Sequence, residues 1–345
     1  PLGPSQRGLS ALESQLRYIS HYPDATNDDI LNAIADIYGM NKNQIVVGNG
    51  AAELLYAICR LPGYTGAFVP APGFSEYKTA LEASRIPVRD IYYRPREDEH
   101  GKPYFEVPYL ALETFAAELK GQDGRIIVFL ANPNNPDGTL LDKNHIRTVA
   151  SMLKDANSLL VIDESFIDFV GNDTLQDNEY SMRSLVNEFD NIIVVHSFTK
   201  FYAVPGLRIG AAFSNPLIIE QLNSFIPTWS VNTLAQSYTE AALNDVEYVK
   251  RTKQVLHEEQ LFMYNSLDTI DGITIYPPSA NFMLFHIEQE GITAESINEA
   301  LKKYNMIVRN CDSYMGLNNQ WVRVAIKDHD TNVRLVEKLT DILKV

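Results

Sequence analysis

Lys200 stands between hydroxyls and an arginine in His196-Ser-Phe-Thr-Lys200-Phe-Tyr-Ala-Val-Pro-Gly-Leu-Arg208-Ile-Gly. A lysine amine condenses with aldehydes, while Ser197, Thr199 and Arg208 can hold a phosphate by hydrogen bonds and charge. Those groups together describe an anchor for pyridoxal phosphate (PLP), an aldehyde that carries a phosphate. Taken alone, Lys200 reads as one more solvated lysine. A second group gives it company: Leu159-Leu-Val-Ile-Asp163-Glu-Ser-Phe166 is an apolar run ending in a carboxylate. Such an aspartate can salt-bridge a pyridine nitrogen and keep it protonated, so that the ring accepts electrons. As a lone residue it would be a turn former. A third group is the turn Asn132-Pro-Asn134-Asn135-Pro136-Asp-Gly138, where Asn135 has a donor for the cofactor's phenolic oxygen and ordinary turn chemistry is the competing explanation. The fourth is Gly48-Asn-Gly50-Ala51-Ala52-Glu53, glycines opening a helix whose free N–H groups face an anion.

These residues need strands to deliver them. Short apolar runs at 67–70, 125–131, 159–163, 192–196 and 209–213 alternate with helical stretches, the pattern of a parallel α/β sheet. Ligands of such sheets bind beyond the carboxyl ends of the strands, where Asp163 and Lys200 fall. From about residue 244 the charges become denser, and the periodicity predicts a long helix over 246–267 followed by short strands and helices. The expected organisation is an amino-terminal arm (1–25) packed on the small domain, a large PLP-binding domain (26–244) and a small α+β domain (245–345). Residues 92–102, with Arg94-Pro-Arg-Glu-Asp-Glu-His-Gly, read as an exposed loop.

Composition narrows the function classes. The 345 residues allow two domains with full cores. With 44 acidic against 29 basic residues and a formal net charge of −15, the chain disfavours nonspecific binding to nucleic acid or acidic membranes. An anionic substrate must then be drawn in by local arginines. Two cysteines, Cys59 and Cys311, are too few for a disulfide framework, and with no signal-peptide pattern or membrane-length apolar run the expected location is the cytoplasm. The 7 histidines show no metal-ligand spacing, and no metal is expected.

In this order, the four groups resemble the fold-type I PLP-dependent enzymes, specifically the branch that contains histidinol-phosphate aminotransferase and threonine-phosphate decarboxylase. The resemblance extends to His21-Tyr22-Pro23-Asp24, Ala71-Pro-Gly-Phe74-Ser-Glu-Tyr77, Pro227-Thr-Trp-Ser-Val-Asn232, Ala280-Asn281-Phe, Arg309-Asn-Cys-Asp-Ser-Tyr-Met-Gly-Leu317 and Trp321-Val-Arg323. It implies an α/β fold with a mostly parallel sheet in a large domain and a smaller α+β domain. It implies Lys200 as the Schiff-base lysine, Asp163 as the pyridinium partner, Asn135 as donor to the cofactor's O3' and Phe74 as the ring-stacking residue. Gly50, Ala51, Ala52, Ser197, Thr199 and Arg208 would hold the cofactor phosphate, joined by Tyr22 from a neighbouring subunit, which implies a homodimer. Arg323 resembles a carboxylate clamp and Arg309, 14 positions earlier, a substrate-phosphate arginine. Either arginine alone could be a surface ion pair.

Departures within the motifs separate the two activities. The aminotransferase pattern has a tyrosine three positions after the aspartate, sharing the O3' contact; here the residue is Phe166, and a phenyl group cannot donate that bond. The Asp163-Glu-Ser-Phe-Ile-Asp-Phe169, Thr-Lys-Phe-Tyr-Ala-Val-Pro-Gly-Leu-Arg and Arg-Asn-Cys-x-x-Tyr-x-Gly-Leu blocks resemble the decarboxylases. The implied reaction is decarboxylation of L-threonine O-3-phosphate to aminopropanol phosphate for the nucleotide loop of cobalamin-type corrinoids, with L-serine O-phosphate as a second substrate. An aminotransferase is the alternative. Two readings of other classes are a noncatalytic PLP-binding regulatory domain, which would follow a DNA-binding module not visible here, and a nicotinamide-dependent dehydrogenase, for which Gly48-Asn-Gly50 lacks the third glycine of the fingerprint. The family's pattern places an asparagine before Pro-Leu-Gly-Pro, whereas this sequence begins at Pro1, so the amino-terminal lid of the site is not assigned.

Overall fold

The computed structural model describes residues 3–119, 124–171, 174–176 and 178–343. Pro1 and Leu2 of the expected arm, and residues 344 and 345 of the expected small domain, lie outside them. Among the described residues nine strands come first: β1 (Ile45–Gly48), β2 (Tyr64–Ala71), β3 (Val88–Tyr92), β4 (Arg94–Glu97), β5 (Pro103–Glu106), β6 (Arg125–Ala131), β7 (Leu159–Asp163), β8 (Ile192–Ser197) and β9 (Gly210–Phe213). Four more follow: β10 (Ile273–Tyr276), β11 (Phe282–Ile287), β12 (Arg309–Asn310) and β13 (Trp321–Ala325). The large sheet runs β1-β9-β8-β7-β6-β2-β3, and the smaller sheet β10-β11-β13-β12 is antiparallel throughout.

Strands β6, β7 and β8 are apolar along nearly their whole length because both faces of the large sheet are covered. Leu160, Ile162, Ile192 and Val194 face one core, whereas Leu159, Val161, Ile193 and Val195 face the other. Each of these eight side chains is at most 1% exposed. The sequence therefore reads as short continuous apolar runs, the signature by which the strands are recognisable. Some of the covering helices start at side-chain caps, as where Asp142 accepts from the N–H groups of Asn144 and His145 to open Lys143–Asp155.

The seven-stranded sheet is parallel from β3 to β8, while β9 runs antiparallel to both its neighbours, so the sheet is mostly parallel, as the resemblance implies. A parallel return needs a crossover that carries the chain back along the full sheet. Between β8 and β9 the chain forms only the short helix Phe198–Phe201 and the turn Pro205–Leu207, so it reverses at the carboxyl end of β8. The reversal has a chemical consequence. It leaves Lys200 and Arg208 at the same sheet end, with Ser197 paired to Gly210 and Gly210 paired to Gly48.

Two expectations are modified. Residues 92–102 are exposed apart from the buried Tyr93, but they contain β4 and the turn of a β4–β5 hairpin rather than an irregular loop. Asp98 accepts from the N–H groups of His100 and Lys102, and Gly101 has a left-handed φ of 76°. The pattern was invisible because Phe105 is the hairpin's single buried anchor, packed against Tyr276 and Trp321. The amino-terminal helix Gln6–Gln15, expected on the small domain, packs along Thr233–Leu243, before that domain's expected start. Gly8 permits this approach: a Cβ there would lie 2.6 Å from the Tyr238 ring. The adjoining Ser5 binds Tyr238 and Asp245, and Gly3 accepts from Tyr248, so the arm also touches the start of the long helix Val246–Leu267.

Candidate active site

The register of the large sheet aligns the motifs in one row. Ala131 lies opposite Asp163, Asp163 opposite Val195, Ser197 opposite Gly210 and Gly210 opposite Gly48. Every chemistry-bearing segment leaves the sheet at this end: 132–138 after β6, 164–166 after β7, 198–208 after β8 and 49–53 after β1. The first three of these segments border a small cleft, of about 60 Å³, lined by Phe74, Asn135, Asp163, Phe166 and Lys200, together with Tyr77 and Ser165. Five of the expected residues are thus brought together, and two neighbours were not foreseen.

Asp163 is buried at the floor. Its Oδ2 accepts a 2.7 Å bond from the Tyr77 hydroxyl, and its Oδ1 accepts from the Ser165 N–H at 2.9 Å. Tyr77 is itself buried, stacked on Phe129 with ring centroids 5.3 Å apart. Burial, then the neighbouring carboxylate, push its phenol well above the ordinary value, so Tyr77 stays a proton donor to Asp163. No local signal in the sequence couples two residues this far apart; only the fold does.

Lys200 lies in the first turn beyond β8, and its Nζ is 3.2 Å from Ser197 Oγ, which in turn is 2.8 Å from Thr199 Oγ1. Burial lowers its amine below the ordinary lysine value, Asp163 opposes that shift, and the Arg208 charge adds to it. The consequence is a larger neutral, nucleophilic fraction at neutral pH than a surface lysine has. The ring of Phe166 is 5.7 Å from Nζ and edge-on to Phe282. Phe74 is half exposed at the mouth, edge-on to Tyr77 at 5.6 Å.

The phosphate-binding expectation can be tested on the backbone. Gly50 has φ 81°, and a Cβ there would collide with the Arg208 guanidinium. Arg208 therefore lies directly over the first turn of helix Gly50–Cys59, where the N–H groups of that turn are free of helical partners. Gly210 allows the same closeness: a Cβ would lie 2.6 Å from the Ala51 nitrogen. A helix amino terminus, a guanidinium, and the hydroxyls of Ser197 and Thr199 thus converge beside Lys200. This donor set fits the phosphate of PLP, with Ala52 in the same helical turn.

The asparagines of the 132–138 turn divide the work. Asn132 accepts from Leu141 N–H and donates to the Tyr180 carbonyl, while Asn134 donates to the Pro72 carbonyl and to Asp137. Those two carry the turn chemistry. Asn135 instead reaches the small sheet, where its Oδ1 accepts from Arg323 Nη1 and from the Tyr314 hydroxyl at 3.1 Å. Arg323 is directly opposite Arg309 across β12 and β13, so the 14-position spacing becomes a cross-strand pair on one face. Both border a second cleft that shares Phe166 with the first. Arg309 is exposed, bonded to Ser313 Oγ at 3.0 Å, with its guanidinium 5.6 Å from the Tyr314 ring.

Tyr22 is 77% exposed and stacks on Trp229, centroids 4.4 Å apart. Behind the site, Asp168 is fully enclosed with His196, Tyr38 and Arg183. Burial alone would raise its carboxyl, but the His196 and Arg183 charges and the Tyr38 hydrogen bond hold it below the usual range. His196 is thus a packing and hydrogen-bonding residue. Among the described residues no cluster of His, Cys, Asp and Glu could hold a metal, and no helix is long and apolar enough to cross a membrane. Cys59 and Cys311 are buried and unpaired.

Similarity to known proteins runs along the whole chain. The threonine-phosphate decarboxylase of Salmonella typhimurium is 31% identical over 99% of this chain and 89% of its own length. The histidinol-phosphate aminotransferase of Methanothermobacter thermautotrophicus is 29% identical over 100% of this chain and 87% of its own. The adenosylcobalamin biosynthesis bifunctional protein CobDQ of Leptospira interrogans is 30% identical over 99% of this chain, which spans 38% of that longer protein. In fold, the histidinol-phosphate aminotransferase of Clostridium acetobutylicum superposes with a TM-score of 0.87 at 24% identity, covering 99% of this chain and 97% of that one. The sequence model of "Aminotransferase class I and II" matches residues 6–339, and the chain therefore belongs to that family of PLP-dependent enzymes.

Proposed function

We propose that the protein decarboxylates L-threonine O-3-phosphate, releasing CO2 and aminopropanol phosphate for corrinoid nucleotide-loop synthesis, with L-serine O-phosphate as a second substrate. The observation that carries this reading over transamination is Phe166, a phenyl ring beside Lys200 where the aminotransferase pattern has a hydroxyl donor. The name of the Salmonella relative supports it. Its rival, histidinol-phosphate aminotransferase, is favoured by the almost equal identity to the Methanothermobacter relative.

When bound, PLP supplies an aldehyde for an amine and a ring that takes up the electron pair left by a bond broken at the substrate's α-carbon. Residues of this chain would do the rest. Lys200 holds the cofactor and, from Nζ, returns a proton to the α-carbon after CO2 departs. Asp163, fixed by Tyr77 and Ser165, keeps a negative charge at the ring nitrogen. Asn135 donates to O3', Phe74 covers the ring face, and Gly50, Ala51, Ala52, Ser197, Thr199 and Arg208 grip the phosphate. Arg323 and Arg309 engage the substrate's carboxylate and phosphate, and their spacing orients the bond that breaks.

A second copy of the chain is the proposed partner. Tyr18, Ile19, Tyr22 and Trp229 are all exposed by 43% or more, and Tyr22 would reach the neighbouring site from there. The deciding experiment incubates PLP-loaded protein with threonine phosphate, and separately with histidinol phosphate plus 2-oxoglutarate, measuring CO2 and glutamate. Glutamate without CO2 would replace this reading by the aminotransferase.

A further inference from the structure

Asn135 is held from the small sheet by two donors. Tyr314 gives its hydroxyl hydrogen to Oδ1 at 3.1 Å, and Arg323 Nη1 donates to the same oxygen while lying 3.4 Å from the Tyr314 hydroxyl. Since a guanidinium has no acceptor, the amide must present its oxygen to this pair. Its nitrogen, the only donor it has, is then turned away from them, and Asn135 lines the cleft with Lys200 and Asp163. Tyr314 is itself well placed to hold this orientation. It is 9% exposed, its N–H donates to the Cys311 carbonyl and its carbonyl accepts from Leu317, both at 3.0 Å. The turn after β12 therefore fixes where its hydroxyl points.

We propose that Tyr314 is a positioning residue for Asn135: it orients the amide so that Nδ2 faces the cofactor's phenolic oxygen, replacing by an indirect route the phenol that Phe166 lacks. This inference rests on the PLP reading of the cleft. It assigns the two neighbours of Asn135 separate duties. Arg323 carries a charge that a substrate carboxylate will draw on, so its hold on the amide changes as substrate enters. Tyr314 carries no charge to be drawn away, so its hydrogen bond keeps the amide in place throughout.

A hydrogen bond donated to the phenolic oxygen stabilises its anionic form and weakens its grip on the neighbouring imine proton, so that proton leaves at lower pH. Loosening Asn135 must shift the midpoint upward. The test titrates the absorbance of bound PLP against pH in the unmodified protein, Tyr314→Phe, Asn135→Ala and the double variant. Tyr314→Phe is expected to raise the midpoint by about half a unit to one unit and to weaken PLP binding about three- to tenfold, the scale of one neutral hydrogen bond. In the Asn135→Ala background the same substitution should add no shift, because its effect passes through Asn135. Adding Phe166→Tyr to Tyr314→Phe should recover part of the shift. An unchanged midpoint in Tyr314→Phe, or an equal shift with Asn135 absent, overturns the inference while leaving PLP binding intact. Absence of any Lys200-dependent absorbance in the unmodified protein would overturn the PLP reading, and this inference with it.

Discussion

Arg309→Ala should cost far more affinity for threonine phosphate than for threonine. The side chain is exposed, bonded to Ser313 Oγ at 3.0 Å, and stands opposite Arg323 in the β12–β13 register. Its removal opens no core cavity, so stability should change by no more than about 0.5 kcal/mol. A charge-assisted hydrogen bond to phosphate is worth about 1.5–3 kcal/mol. At about 1.4 kcal/mol per factor of ten, the dissociation constant for the phosphorylated substrate should rise roughly ten- to a hundredfold, with exposure and salt screening favouring the lower end. Bare threonine should bind almost as before. Arg323→Ala, by contrast, should weaken both ligands alike, since both carry the carboxylate. The assay is a titration of PLP-loaded protein by calorimetry or cofactor absorbance at two ionic strengths. Raising salt should weaken threonine phosphate binding less in Arg309→Ala than in the unmodified protein, because one of the screened contacts is already gone. Arg309→Lys should restore charge but not the planar fork, and recover only part of the loss. Equal losses for threonine and threonine phosphate in Arg309→Ala would refute the phosphate role.

Four other expectations concern the floor of the cleft. Borohydride reduction of PLP-loaded protein followed by peptide mapping should place the pyridoxyl label on Lys200; a label on Lys78 or Lys143 would remove the central assignment. In the cofactor-free protein, the lowered amine of Lys200 implies that its neutral fraction appears at lower pH than for exposed lysines. Acylation of Lys200 should therefore reach half its maximal rate below the ordinary lysine range of about 10.4, and a midpoint at or above that value would contradict the burial argument. Asp163→Asn should keep the fold and lose most activity, because a neutral amide cannot hold the ring-nitrogen proton by charge; near-normal turnover would defeat its role. Tyr77→Phe retains the stack on Phe129 and deletes a buried donor to a carboxylate, so urea denaturation should show a loss of about 1.5–3 kcal/mol. No measurable loss would mean that Asp163 finds another partner.

The strand ends were legible because burial on both faces keeps these strands apolar until their last one or two positions. Leu159–Asp163 and Ile192–Ser197 therefore stop where their chemistry starts. The long helix Val246–Leu267 was readable for the complementary reason, a sustained 3.6 period with Asp245 as its cap. Direction was not legible for β9, since a four-residue apolar run looks alike parallel or antiparallel, and the reversal depends on the short path from Phe198 to Ile209. Nor was the β4–β5 hairpin, whose Arg-Pro-Arg-Glu strand has no apolar alternation at all. In the site, the expected residues came from motif order, whereas Tyr77 and Tyr314 act on partners in other segments. A tyrosine's target is decided by packing, and nothing near it in the chain records which carboxylate or amide it will meet.

The arginine register bears on the choice of reaction more than the identity of any catalytic group does. Lys200, Asp163 and two arginines would serve a decarboxylase or an aminotransferase equally, because the broken bond is the one held perpendicular to the ring plane. Arg309 and Arg323 are paired residues of one small sheet, so their α-carbons are only about 4.5–5.5 Å apart and move as one body. From that common base Arg323 contacts Asn135 and lies over Phe282, while Arg309 bonds Ser313. A short substrate with an anion at each end can engage both forks at once, and doing so removes its freedom to rotate about the bond to the amine nitrogen. Threonine phosphate carries its two anions at carbons 1 and 3, flanking the α-carbon. Histidinol phosphate has one, leaving the second fork unsatisfied and that rotation free, so in the proposed site the rigid arginine pair would orient threonine phosphate far better than the amino alcohol.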